Sequence, residues 1–254
     1  MEAAERPRVV CISQVRMEST RLPGKVLMDL GGEPVVQRVF TRLSRVSLVD
    51  EVVLALPDTP ENDRLAEACE AFGASVYRGS LDDVLARYAG AARAHDAEVV
   101  VRVTSDCPFA DPALIDDVVA NLIADAELDY VSNNLVRTYP LGFDAEAFRA
   151  EALYAADAEA RLPHEREHVT PFLYQHPERF RLANLEAPEA LRRPGYRITV
   201  DEPADLQLAR GIWAQLGRDD FSAADVVAVL DADEALRDVN SAVRNKDVAK
   251  PQSW

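Results

Sequence analysis

Cysteine is scarce in this chain: Cys11, Cys69 and Cys107 are its three, no two of them form a CxxC pair, and one is left over from any pairing. That excludes a disulfide framework and a zinc site of the usual thiolate spacing, and it suits reduced thiols acting as small core residues. No apolar run approaches the roughly 20 residues of a membrane helix, and the N-terminus lacks a basic region followed by a sustained apolar core. Neither export nor a membrane partner is expected, and the expected location is cytoplasmic. Positive charge is also in deficit, with 28 Lys and Arg against 44 Asp and Glu, a net charge of −16 and a pI near 4.7. A basic surface for phosphate backbones is therefore missing, which argues against nucleic acid as a partner. Internal repeats and low-complexity segments are absent too.

What is present is a 254-residue chain, 48% hydrophobic, long enough to bury a sizeable core in one large α/β domain. Its elements alternate. A strand over 8–13 precedes a helix over 33–44, a strand over 51–56 precedes a helix over 60–72, and a strand over 75–77 precedes a helix over 81–95. A strand over 97–103 then leads to a helix over 112–124, with Asp111 as N-cap and Pro112 at the first helical position. This is the pattern of a mostly parallel, Rossmann-like sheet with helices on both faces. From residue 129 the rhythm changes: strands over 130–132, 143–148 and 179–185 surround helices over 150–160 and 164–174. We read 129–195 as an inserted subregion before a final strand and helix within 196–216. The main domain then covers 1–217, and 218–254 is a tail with short helices over 223–230 and 234–238. The stretch 244–254 is either loose or packed on a second subunit.

The most informative segment follows the first strand. Gln14 to Lys25, QVRMESTRLPGK, carries Arg16, Arg21 and Lys25, hydroxyls at Ser19 and Thr20, and a Pro23-Gly24 turn before the last cation. A polyphosphate needs that density of charge at one point, since two unit charges 4 Å apart interact by about 4 kcal/mol at an effective dielectric near 20. Loops at the carboxyl ends of parallel strands are where such sheets place ligands. The Pro-Gly turn is expected to aim backbone amides and Lys25 at the same guest. The segment is not a Walker loop, which aligned on Gly24-Lys25 would need glycine at 19 and a hydroxyl at 26, where Ser19 and Val26 stand. The plain alternative is an exposed basic loop without a ligand.

This loop resembles the signature of nucleotide-sugar pyrophosphorylases of the cytidylyltransferase group, which contains the CMP-Kdo and CMP-sialic acid synthetases, and within it the spore-coat polysaccharide branch. Further stretches similar to the family pattern follow in order: Arg78-Gly79-Ser80 with Asp82-Asp83-Val84-Leu85, Arg102-Val103-Thr104-Ser105-Asp106-Cys107-Pro108, Arg137-Thr138-Tyr139-Pro140, Arg166-Glu167-His168-Val169-Thr170-Pro171 and Thr199-Val200-Asp201-Glu202-Pro203. With the first loop they span residues 8 to 217.

The resemblance implies attack by an acceptor oxygen on the α-phosphorus of CTP, with release of pyrophosphate. Phosphoryl-type transfer asks mainly for positioning and charge. Arg16 and Lys25, with Arg21, would hold the leaving phosphates. The nucleotide set is completed by Gln14, Ser19, Thr20, Thr104 and Asp106, with Arg78 and Ser80 at the base, although a Gly-Ser turn is also a common connector. Asp106 and Asp201 each follow an apolar strand pattern, so adjacent strands of suitable direction would bring both carboxylates to one edge. Mg²⁺ takes one or two protein carboxylates, so the pair suffices, and the resemblance assigns both positions to the metal. Otherwise Asp106 caps a loop and Asp201 N-caps the following helix.

Acceptor contacts implied by the family's second half are Arg137, Tyr139, Asp144, Arg166, Glu167, His168 and Thr170. The helical charges among them would otherwise be a solvated face. The acceptor class stays open among sugar acids, sugars, phosphates and phosphonates, and the resemblance favours a homodimer. Two positions depart from the family: Glu18 replaces a usual glycine and puts an anion beside the triphosphate, and Leu141 replaces a usual aspartate after Tyr139-Pro140. A glycosyltransferase and a catalytically silent nucleotide-binding regulator are the alternatives. The first lacks a strand-terminal DxD, because Asp231-Ala232-Asp233 sits at a helix end, and the second would not need the intact Arg16, Lys25, Asp106 and Asp201 set.

Overall fold

The computed structural model describes residues 6–244. In chain order its first half contains β1 (Val9–Gln14), a 3-10 turn (Lys25–Leu27), β2 (Asp29–Leu30), β3 (Glu33–Pro34), α1 (Val35–Leu43), β4 (Glu51–Pro57), α2 (Asp63–Ala71), β5 (Ser75–Gly79), α3 (Val84–Ala94), β6 (Val99–Arg102) and α4 (Pro112–Ala124). The second half adds β7 (Tyr130–Ser132), β8 (Glu146–Arg149), α5 (Ala150–Glu159), α6 (Pro163–His168), α7 (Pro171–Tyr174), β9 (Leu182–Asn184), α8 (Pro203–Leu216), α9 (Ala223–Ala232) and α10 (Glu234–Arg237). Among the described residues no helix is long and apolar enough to cross a membrane.

Strand β1 reads as a continuous apolar run because it is covered on both faces. Val9 and Cys11 enter one core with α1, α4, α8 and α9, while Val10 and Ile12 enter another with α3, α5 and α7. The seven-stranded sheet has the order β5-β4-β1-β6-β8-β7-β9. β1 runs parallel to β4 and β6, β4 to β5, and β7 to β9, while β8 is antiparallel to both of its neighbours. Strand order therefore reverses between β1 and β6, and the crevice at their carboxyl ends is where an open α/β sheet binds ligands.

Several expected elements differ in extent. The helix expected over 33–44 begins at Val35, because Glu33 and Pro34 pair with Asp29 and Leu30 in a small hairpin. The helix expected over 164–174 is two short ones, broken where Val169 takes φ 73. The strand expected at 196–200 pairs only as an isolated bridge of Arg197 with Leu141, extended by a hydrogen bond from the Val200 amide to the Asp106 carbonyl at 2.8 Å. That bridge needs Gly142, at φ 117, because a Cβ there would come within 3.0 Å of the Ile198 carbonyl carbon.

Asp111 caps α4 as expected, accepting from Ala113 and Leu114 amides at 2.8 and 3.2 Å, and its other oxygen accepts from the Ala223 amide. That bond joins the starts of α4 and α9. The tail accordingly packs Phe221, Ala223, Val226, Val227 and Leu230 into the first core. Residues 245–254, most of the stretch expected to be loose or to meet a second subunit, lie outside the described residues.

Candidate active site

The loop after β1 folds back on itself. Met17 presents its carbonyl to the amides of Ser19 and Gly24 at 2.9 and 3.1 Å, and the Lys25 amide donates to Leu22 at 3.2 Å. Gly24 makes the turn at φ 68, a conformation open to glycine. The Gly24 and Lys25 amides are thus spent inside the loop, contrary to the expectation that the turn aims amides at a guest. Ser19 Oγ likewise accepts from the Leu22 amide at 3.2 Å, while Arg16 and Thr20 are exposed at the rim.

The turn sets Lys25 at the start of the 3-10 segment, with its ammonium in the crevice. Nζ donates to the Val200 carbonyl at 2.7 Å and to Asp201 Oδ1 at 2.8 Å, and Asp106 Oδ2 lies 3.5 Å away. Burial alone would lower the Lys25 pKa, but Asp106 and Asp201 outweigh it and leave it above the usual lysine range. Burial would likewise raise Asp201, yet Lys25, then Arg21 and Arg197, bring it below the usual carboxylate range. Arg21 reaches Asp201 Oδ1 at 3.0 Å and Arg197 holds Oδ2 at 2.7 Å. The N-cap of α8 is Glu202, whose amide is taken by Asp205 at 3.0 Å, so Asp201 is not the cap and its carboxylate serves the crevice. On the β6 side, Thr104 Oγ1 donates to Asp106 Oδ1, and Ser105 Oγ donates to the Gln14 carbonyl at 2.7 Å.

Gln14 closes β1, its side-chain oxygen accepting from Arg102 Nε at 3.3 Å. Arg102 is ion-paired with Glu146, which also accepts from Tyr130 and from Thr170 Oγ1, the latter at 2.8 Å. Thr170, expected at the acceptor, therefore sits 2% exposed beneath the crevice. Arg102, Glu146 and Arg197 were not singled out from sequence. Arg102 ends an apolar run and Arg197 stands four residues before Asp201, but nothing in their spacing marks these partners.

The base candidate Arg78 pairs with Asp58 at 3.2 Å and Asp63 at 2.7 Å and donates to the Thr59 carbonyl at 2.9 Å. Exposed Ser80 accepts the Asp83 amide at 3.1 Å, and its carbonyl accepts from the buried Arg87. Glu18 turns toward this side of the loop, one oxygen accepting from Asn62 Nδ2 at 2.7 Å.

Among the acceptor candidates, Arg137 forms a two-pronged pair with Asp144, each bond 2.7 Å. Arg166 binds Asp83 and Asp157, tying α6 to the start of α3. Tyr139 is 4% exposed in the first core, Glu167 is exposed and His168 half-buried. Leu141 contributes backbone, donating to Tyr196 and accepting from Ile198. Asp231 pairs with Arg193 and Asp233 caps α10, so the DxD spacing is spent on helix ends.

Among the described residues no three His, Cys, Asp or Glu side chains are grouped to hold a metal. The crevice instead gathers two carboxylates and a carbonyl around one ammonium, flanked by two guanidinium groups.

Comparison with known proteins shows which family this fold and sequence belong to. The chain is 34% identical over 229 residues to the spore coat polysaccharide biosynthesis protein SpsF of Bacillus subtilis, covering 87% of this chain and 93% of that one. It is 33% identical over 240 residues to an uncharacterized protein of Methanocaldococcus jannaschii, covering 94% and 97%. A solved cytidylyltransferase from Leptospira borgpetersenii superposes with a TM-score of 0.87 at 27% identity, covering 96% of this chain and 99% of that one. The cytidylyltransferase sequence model matches residues 10–229, which takes in nearly all of β1, the cationic loop and both crevice carboxylates. With that match over most of its length, the chain belongs to the cytidylyltransferase family and is a nucleotidyltransferase that uses CTP as the donor of CMP.

Proposed function

We propose that this site transfers CMP from CTP to a sugar or sugar acid, releasing pyrophosphate with the help of Mg²⁺ at Asp106 and Asp201. The observation that carries the reading is the convergence of Asp106 Oδ2, Asp201 Oδ1 and the Val200 carbonyl on Lys25 Nζ. Those oxygens are a hard donor set with two carboxylates, which fits Mg²⁺. When bound, the ion supplies charge stabilisation to phosphate oxygens.

The rest falls to the chain's own groups. Lys25, Arg21 and the rim residue Arg16 supply positive charge to the departing phosphates, the preorganised electrostatics on which such reactions depend. Thr104 and Arg197 orient the two carboxylates, and Gln14, held by Arg102 and Ser105, fixes the floor of the nucleotide crevice.

Two observations support the acceptor class. Arg137 and Arg166 are each matched by internal carboxylates, so the subregion offers a polar surface on which these two cations are already neutralised. A hydroxyl-rich ligand fits that surface better than a free phosphate or phosphonate dianion. The relative from Bacillus subtilis is named for polysaccharide biosynthesis, which accords with a sugar. The family resemblance is what supports a homodimer.

The test is pyrophosphate release from CTP, UTP, ATP and GTP with Mg²⁺ against sugars, sugar acids, phosphates and phosphonates. Release with CTP and a sugar or sugar acid is the expected result. Turnover confined to phosphates or phosphonates would overturn the acceptor class, and a monomer in analytical ultracentrifugation would overturn the dimer.

A further inference from the structure

We propose that Asn240, Asp205 and Arg197 form a positioning relay that aims Asp201, making the segment after α10 part of the active site. The proposal rests on the reading of Asp201 as a magnesium ligand and adds to it residues that lie behind that carboxylate.

The relay runs from the C-terminal segment to the crevice. Asn240, 5% exposed in a 3-10 turn (Asp238–Asn240), donates through Nδ2 to Asp205 Oδ1 at 2.8 Å and to the Arg197 carbonyl at 3.1 Å. Asp205, 1% exposed, accepts from Arg197 Nε at 3.1 Å through one oxygen. Its other oxygen accepts from Arg197 Nη2 at 3.1 Å and from the Asp201 and Glu202 amides at 3.0 Å each. Arg197 Nη2 then reaches Asp201 Oδ2 at 2.7 Å.

A carboxylate rotates freely about its Cβ–Cγ bond unless one oxygen is held. Arg197 holds Oδ2, which leaves Oδ1 facing Lys25, Arg21 and Asp106. The arginine is itself a long flexible side chain, and its fork is fixed by the two oxygens of Asp205. Helix capping asks of Asp205 only that it accept the amide of the N-cap residue, Glu202. Its additional fork on Arg197 and its bond from Asn240 are what couple the cap to the crevice. Groups that orient a metal's ligands in this way are worth about 10–100-fold in metal affinity.

The experiment measures CTP binding by calorimetry with Mg²⁺ and with EDTA, in wild type, Asn240→Ser, Asn240→Ala and Asp205→Asn. Asp205→Asn keeps an acceptor for the cap while removing the charge that fixes Arg197, and thermal midpoints check folding. The relay predicts that the gain in CTP affinity on adding Mg²⁺ shrinks about tenfold in the folded variants, while affinity in EDTA changes less than about twofold. Loss of affinity to the same degree in both conditions marks a structural role and overturns the relay, as does an unchanged magnesium gain. A wild type whose CTP affinity is indifferent to Mg²⁺ overturns the magnesium reading itself, and the relay with it.

Discussion

Lys25 Nζ donates to Asp201 Oδ1 at 2.8 Å and stands 3.5 Å from Asp106 Oδ2, so one ammonium faces two carboxylates, one beyond strand β6 and one beyond the extended segment that bridges to Leu141. Two carboxylates that converge on one ammonium form a site suited to cations. Asp106→Ala or Asp201→Ala is expected to lower turnover by about 10²-fold or more, the scale on which one electrostatic stabiliser acts. Pyrophosphate release under saturating CTP and acceptor measures it, and near-normal rates in both variants would sink the metal role.

The same contacts give stability a pH dependence. Asp201 lies below its ordinary range, so its contribution is present above the unfolded value of about 3.9 and is lost as pH falls through the folded value. Asp201→Asn should therefore be less stable than wild type by about 2 kcal/mol at pH 7, the value of a hydrogen bond to a charged group. The difference should close as the pH is lowered below about 4. Urea unfolding from pH 7 downward measures it, and a difference that stays constant with pH would contradict the assignment.

The parallel half of the fold was legible because strands buried on both faces are uninterrupted apolar runs, as in Val9 to Ile12 and Val99 to Val101. Lys25, Asp106 and Asp201 were legible because each follows such a run or a segment that imitates one. Tyr196 to Val200 imitates a strand in its alternation, yet it pairs only through Leu141 and Asp106, a tertiary choice that periodicity does not encode. Arg137 and Arg166 read as anion contacts because a sequence shows a cation without its counter-ion. The structure supplies Asp144 to the first and Asp83 and Asp157 to the second. Glu146 was illegible for the converse reason, since its partners Arg102, Tyr130 and Thr170 come from three separate elements.

Cys107 is beside the crevice but should behave as a core residue. It is 1% exposed, and burial, then the Asp106 charge, pushes its thiol well above the ordinary range. Cys11 and Cys69 are also buried, and burial raises both to about 12. Thiolate is the reactive form, so alkylation of the native protein by iodoacetamide at pH 8 should be negligible at all three sites. Mass spectrometry before and after addition of urea checks this, with full labelling expected only after unfolding. Rapid native labelling of Cys107 would show that the loop after β6 opens.

Arg42 makes a separate demand on the fold. It is 1% exposed, yet its guanidinium donates to the carbonyls of Ala110, Asp219 and Phe221 and lies 3.8 Å from the centre of the Phe221 ring. Burial lowers its pKa to about 10, which leaves it charged at neutral pH. These bonds fasten α1 to the turn before α9 and to the segment after Asp106, so one side chain joins the tail to the sheet. Arg42→Met keeps the aliphatic stem but strands buried acceptors, each worth about 1–3 kcal/mol. A loss of at least about 3 kcal/mol in urea unfolding is expected, with a smaller loss for Arg42→Lys, whose single ammonium cannot span three carbonyls. Because none of its hydrogen-bond partners is a crevice side chain, CTP affinity measured well below the unfolding midpoint should change less than about twofold, a factor worth under about 0.5 kcal/mol. A folded Arg42→Met enzyme with wild-type stability would mean that the tail is held by its apolar packing and its other polar contacts, such as that of Asp111 with the Ala223 amide, without Arg42.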